Sequence, residues 1–170
     1  FISKFMIHVI GHKNPDTDSI CSAISLAYFL DGIAAKLGEI NSETSFVLEK
    51  FSLEEPLTLA QAKGRDLYLV DHSEKSQSID DLEEARLLGI IDHHKVGLFT
   101  CYPIIYISKP IGSTASIIAE LYFLKNLEYI GGKNKELSPN LAGILLSAII
   151  SDTLLFKSPT TTDLDIDLAK

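Results

Sequence analysis

The sequence predicts an α/β domain: a parallel β-sheet flanked by helices on both faces. Two observations carry this reading. Short apolar runs alternate with segments of helical periodicity along the 170 residues, the pattern of strands joined by helical crossovers. Three of those runs also stop abruptly on ionisable residues, at His12, at Asp71 and at Asp92-His93-His94. Parallel strands place such ends on one edge, where ligands of open sheets bind.

The elements follow in order. Residues 6–11 read as a short buried strand, followed by a polar turn through Asn14-Pro15 and an apolar-periodic helix from Ser19 to about Lys36. The next segment, 37–63, is weaker in pattern, with one strand expected at residues 45–48. A second clear strand at 67–70 ends on Asp71. A short helical pattern in "DDLEEARLLGIIDHHKVG" precedes a third strand at 88–91, ending on Asp92. Residues 104–108 form a fourth, "GSTASIIAELYFLKN" opens a helix at Gly112-Ser113-Thr114, and "SPNLAGILLSAIISDT" reads as a wholly buried helix from about Ser138. The chain stops at Lys170 in what reads as the start of a further helix. No internal repeat or low-complexity stretch is present.

Composition narrows the partners. One domain accommodates a chain of this length. Fifteen Lys and Arg against 23 Asp and Glu leave a net charge of −8, which argues against an extended nucleic-acid surface and favours multivalent cations. No apolar run approaches the ~20 residues that cross a bilayer. The N-terminus, "FISKFMIHVIGHKN", leads into a strand and lacks a signal-peptide cleavage pattern. Phe1 is not a natural start, so a fragment boundary is expected there. Cys21 and Cys101 lack metal-type spacing and read as buried free thiols of a reducing, cytoplasmic compartment.

Singly, each polar residue has an ordinary explanation. His12 reads equally as a hydrogen-bonded loop histidine, and Asp16 or Asp18 as a cap of the following helix. Three adjacent ionisable groups at the end of a buried strand, Asp92-His93-His94, carry a desolvation cost that capping does not repay. Asp152, at the end of an apolar helix, needs a cationic partner: Lys157 in sequence, or a metal. Together His12, Asp16, Asp18, Asp71, His93 and Asp152 make two imidazoles and four carboxylates with no cysteine. This set is too acidic for one structural zinc and suits Mn²⁺, Co²⁺ or Mg²⁺. Two ions sharing one carboxylate fit it better than one, the arrangement used in two-metal phosphate hydrolysis.

The stretches "GHKNPDTDSICSA", "LVDHSE", "IIDHHKVGLF", "IGSTASII" and "LLSAIISDTLLFKSPTTTD" resemble, in order and spacing, the motifs of the DHH phosphoesterase superfamily. They are most similar to its family II, manganese-dependent inorganic pyrophosphatases, and the likeness covers essentially the whole chain. The resemblance implies hydrolysis of pyrophosphate to two phosphates by a metal pair. His12 and Asp16 are then ligands of one ion, Asp18, His93 and Asp152 of the other, and Asp71 bridges both. His94 contacts substrate or bridging oxygen, and Asp92 supports neighbouring imidazoles. Mn²⁺ is the implied metal, with Co²⁺ or Mg²⁺ as alternatives and a further Mg²⁺ arriving with substrate. A homodimer is implied as well.

Two departures from the family pattern stand out. Ser73 replaces the Asn of "VDHNE" beside the bridging acid. The second, substrate-binding C-terminal domain of the family is expected to be missing from residues 1–170, which are read as its metal-binding catalytic domain. Lys13, Lys95 and Lys157 lie near the site motifs but do not amount to a basic face. Two further readings stay open: a related phosphoesterase acting on polyphosphate or short oligonucleotides, and a non-catalytic, metal-binding regulatory domain.

Overall fold

The computed structural model describes residues 6–98 and 100–170. The reading of residues 1–5 as the approach to the first strand lies outside them. Six strands form one parallel sheet: β1 (Ile7–Ile10), β2 (Ile33–Lys36), β3 (Leu57–Thr58), β4 (Asp66–Val70), β5 (Arg86–Asp92) and β6 (Ile105–Ser108), in the order β3-β2-β1-β4-β5-β6. The order reverses between β1 and β4, and that switch point opens a crevice at the carboxyl ends of the two strands.

Side-chain alternation divides the central strands between two cores. Val9, Tyr68, Val70 and Ile91 face the helices α1 (Thr17–Leu30), α3 (Thr114–Phe123) and α4 (Pro139–Asp152). Ile10, Leu67, Leu69 and Ile90 face the opposite side. There the cover comes from Leu59, Ala62, Ile79, Leu82 and Ala85, in loops and the 3₁₀ turn Leu82–Glu84. The helical cover on that face is therefore 3₁₀ and not α, because the β4-to-β5 connection is spent on site loops and two tight turns. The helical pattern expected ahead of β5 is this turn.

Three local expectations are corrected. The first helix stops at Leu30 and does not run to Lys36. Asp31 adopts a left-handed conformation at φ 53° and its N–H donates to the Ala27 and Tyr28 carbonyls. At Gly32 a Cβ would lie 2.6 Å from the Ile7 carbonyl oxygen, so the chain turns tightly there and enters β2. The strand expected at 45–48 is part of helix α2 (Ser42–Lys50), capped by Asn41, whose side chain accepts from the Thr44 N–H at 2.8 Å. Its buried residues, Thr44, Val47 and Leu48, have helical spacing. Helix α4 is not wholly buried. It covers the core through Leu141, Ile144, Leu145, Ala148 and Ile149, while Leu146 is exposed. The chain ends on α5 (Asp163–Leu168), which packs on α3.

Candidate metal centre

The ends of three neighbouring strands and one helix converge on the switch point. β1 delivers His12, the turn after it places Asp16 at the N-cap of α1, and Asp18 follows in its first turn. β4 delivers Asp71 in a left-handed conformation, φ 63°, which Asp tolerates better than most residues. β5 ends on Asp92 and leads into His93 and His94, and α4 ends on Asp152.

Asp71 stands at the centre. Its Oδ2 lies 3.2 Å from His12 Nε2, which is 3.6 Å from Asp16 Oδ2. Its Oδ1 lies 3.4 Å from His93 Nε2, which is 3.3 Å from Asp152 Oδ2 and 4.0 Å from Asp18 Oδ2. Two groups able to hold a cation result, His12/Asp16/Asp71 and Asp18/Asp71/His93/Asp152, each with its donor atoms within 4.8 Å of one another. A third overlapping group adds His94 to Asp71 and His93. Asp71 belongs to all three, and its two oxygens face different imidazoles.

A surrounding set of hydrogen bonds fixes these side chains. The Ile111 carbonyl accepts from His93 Nδ1 at 3.0 Å, which turns Nε2 to the acids, the nitrogen a metal would take. Asp18 is fully buried. Its Oδ1 accepts from Ser22 Oγ (3.1 Å), Ser113 Oγ (3.0 Å) and the Ala115 N–H (2.9 Å), and its Oδ2 from the Thr114 N–H (2.6 Å). Asp18 does not cap its own helix. It sits against the N-terminus of α3, whose free N–H groups and dipole favour an anion, and keeps Oδ2 turned to His93. Asp16 does cap α1, through Oδ1 to the Ser19 N–H at 2.9 Å, and turns Oδ2 to His12. Thr114 Oγ1 donates to Asp71 Oδ1 at 3.1 Å.

The remaining expected residues lie at the rim or behind. Asp92 is buried and its Oδ1 accepts from both the N–H and the Nδ1 of His94, each at 3.0 Å. It orients His94 and makes no hydrogen bond to His93. His94, with its side chain 54% exposed, lines a half-open cleft of about 230 Å³ together with His12, Asn14, Asp71, His72 and Lys95. Asp152 is partly open at 22% and meets His93 and not Lys157. At the last residue of α4 it also faces the negative end of the helix dipole, which strengthens its need for a cation.

Charge at this edge is unbalanced. Among the described residues, buried Asp71 Oδ2 and His93 Nε2 have no hydrogen-bond partner, a state costing roughly 1–3 kcal/mol per atom unless a cation satisfies them. Burial and the neighbouring Asp71 and Asp152 push Asp18 well above the ordinary carboxylate range, and burial raises Asp152. Burial opposes protonation of the imidazoles, yet the adjoining Asp16 and Asp71 raise His12 to about 10, and Asp152 and Asp71 raise His93 to about 11. Burial would lift Asp71 also, but His12 and His93 hold it below its usual value. Protons and divalent ions compete for the same atoms, and the mixed N/O donor set fits borderline-hard divalent metals.

The supports around Asp18 and Asp71 supplied by Ser22, Ser113 and Thr114 were not expected from the sequence, whereas Ser73, singled out there, has a hydroxyl that donates to the Lys95 carbonyl (3.1 Å) and accepts from the Gly97 N–H (3.0 Å). Ser73 thus ties the loop after the two histidines to the loop of Asp71. The small hydroxyl residues of "IGSTASII" were the available signal. Cys21 is a buried free thiol as expected, whereas Cys101 is exposed, on the loop leading into edge strand β6.

Comparison with known proteins agrees with this geometry. Residues 6–149 match the DHH family, N-terminal domain. The manganese-dependent inorganic pyrophosphatase of Methanocaldococcus jannaschii is 68% identical over 165 residues, covering 97% of this chain and 54% of that protein. The Bacillus subtilis manganese-dependent inorganic pyrophosphatase is 42% identical over 172 residues, covering 96% and 53%. A crystal structure from Methanococcus jannaschii, provisionally assigned as a family II inorganic pyrophosphatase, superposes with a TM-score of 0.95 at 68% identity, covering 96% of this chain and 53% of that one. An exopolyphosphatase-related protein from Bacteroides fragilis shares the fold at a TM-score of 0.69 and 18% identity, covering 96% and 52%. The chain spans about half the length of the curated relatives it matches.

Proposed function

Because the chain belongs to the DHH family, N-terminal domain, we propose that it supplies the metal-holding half of an active site that hydrolyses inorganic pyrophosphate to two phosphates. The observation that carries this reading is Asp71, whose Oδ2 faces His12 at 3.2 Å and Oδ1 faces His93 at 3.4 Å. In it, His12 and Asp16 would hold one ion, Asp18, His93 and Asp152 the second, and Asp71 would serve both. When bound, the metal pair supplies Lewis-acid charge to the phosphoryl oxygens and makes an attacking water acidic near neutral pH. The chain's own contribution is positional. Asp92 holds His94 at the cleft wall, where the imidazole meets substrate or the attacking oxygen. Ile111 fixes the His93 tautomer, and the N-terminus of α3 holds Asp18.

Mn²⁺ is supported by the names of the similar proteins and by the donor set, which also accepts Co²⁺ or Mg²⁺; a further Mg²⁺ enters with the substrate. Pyrophosphate is the partner, and the charge of −8 speaks against nucleic acid. No helix among the described residues is long and apolar enough to cross a membrane. A cytoplasmic location is supported by the buried free thiol of Cys21. A homodimer is supported by the family resemblance and by β6, whose outer edge, among the described residues, offers unpaired backbone groups to a second copy.

The test is phosphate release with Mn²⁺ by the full-length protein, given pyrophosphate, tripolyphosphate and a dinucleotide. Pyrophosphate is expected to be turned over at least about tenfold faster than either competitor, since discrimination worth ~1.4 kcal/mol in the transition state gives that factor. Preference for tripolyphosphate or the dinucleotide would move the assignment to a related phosphoesterase. Metal binding without any hydrolysis would favour a regulatory domain.

A further inference from the structure

We propose that Asp165, on the terminal helix α5, is a positioning residue of the metal centre, acting through the first turn of α3. The inference rests on reading Asp18 and Asp71 as metal ligands. Asp165 begins as a member of a capping box: its Oδ2 accepts from the Thr162 N–H and from Thr162 Oγ1, both at 2.7 Å. An aspartate is almost never fully buried unless its carboxylate is paired. Asp165 is 0% exposed, and its carboxylate reaches beyond its own helix. Oδ2 accepts from the Gly112 N–H at 3.0 Å, and Oδ1 accepts from Ser116 Oγ.

Gly112 and Ser116 bracket the three residues that hold the site. Between them, Ser113 Oγ, the Thr114 N–H and the Ala115 N–H all donate to Asp18, and Thr114 Oγ1 donates to Asp71. One helical turn is therefore gripped by a buried carboxylate on each side, Asp165 behind and Asp18 in front. The approach is close. A Cβ at Gly112 would lie 2.8 Å from Asp165 Oδ2 and 2.6 Å from the Thr153 methyl, so a side chain there displaces the carboxylate or the turn. Since Asp18 takes three of its four hydrogen bonds from this turn, a shift of a few tenths of an ångström moves its Oδ2 relative to His93. Supporting groups of this kind carry a recognised share of metal affinity.

Calorimetric titration of the metal-stripped full chain with Mn²⁺ tests this without recourse to activity. Asp165→Asn removes the charge that accepts four donors, and Ser116→Ala removes one bond and leaves the carboxylate in place. Leu82→Ala, a cavity on the opposite face of the sheet, is the control for lost stability alone. Asp165→Asn and Ser116→Ala are expected to weaken the Asp18-side binding event about tenfold, while Leu82→Ala lowers the melting temperature with Mn²⁺ affinity within about twofold of the parent. If Asp165→Asn does not fold, Ser116→Ala decides. Parent-like affinity in the folded variants, or an equal loss in Leu82→Ala, overturns the positioning role. A parent chain that binds no Mn²⁺ overturns the metal reading beneath it.

Discussion

Asp71→Asn weakens Mn²⁺ binding at both positions of the centre, by about a hundredfold or more at each, while the metal-free protein stays folded. Asparagine tolerates the left-handed conformation at φ 63° and keeps the shape of the side chain. It lacks the negative charge and the second anionic oxygen, and here each oxygen faces a different imidazole, at 3.2 and 3.4 Å. Removing one partner from a buried charged cluster costs several kcal/mol, roughly 3–5, which covers this loss. Asp16→Asn and Asp152→Asn serve as the contrast, because each acid belongs to one group only; each is expected to weaken one binding event and spare the other. The check is calorimetry on metal-stripped variants with melting curves alongside. Loss of a single event in Asp71→Asn would mean that the carboxylate does not bridge.

The second large effect separates binding from turnover. The 170-residue chain is expected to bind Mn²⁺ but to hydrolyse pyrophosphate at least about a thousandfold more slowly than a chain carrying the full length of its relatives. Orientation and electrostatic stabilisation each contribute several kcal/mol to such a barrier, and little in the half-open cleft provides them. Lys95 lines it but is paired with Glu74 at 3.1 Å, and nearby Lys13 is paired with Asp80 at 2.6 Å. A substrate with several negative charges needs more cationic donors than these, and a lid that excludes water. Phosphate release by the short chain, alone and after adding the second half in trans, measures the difference. Full turnover by the short chain alone would remove the need for another domain.

Much of the centre is legible in the sequence because its donors end regular elements. His12, Asp71 and Asp92-His93-His94 follow buried strands, and a parallel sheet brings such ends together whatever their separation along the chain. What the sequence conceals lies in short-range competition and in long-range hydrogen bonds. The apolar residues of β2 continue the periodicity of α1, so the break at Asp31-Gly32 is visible only in backbone geometry: a left-handed cap, and a glycine against the Ile7 carbonyl. The β-branched and aromatic residues of "SFVL" favour a strand locally, but the Asn41 cap and the burial of Thr44, Val47 and Leu48 on one face commit α2 to a helix. β3 spans two residues, too few for any periodicity. The role of Asp165 requires contacts across 53 positions to Gly112, which no local pattern announces.

This edge is proposed to hold two divalent ions sharing Asp71. Titrating the metal-stripped chain with Mn²⁺ in buffers of different ionisation enthalpy tests it most directly. With His12 raised to about 10 and His93 to about 11, both imidazoles are favoured in the doubly protonated form at pH 7, and the nitrogen facing the acids must lose its proton to bind metal. The sign follows: affinity rises with pH from 7 towards 10, by up to about tenfold per pH unit for each proton released. Two Mn²⁺ per chain are expected, bound with release of protons. One ion per chain, or none, would contradict this.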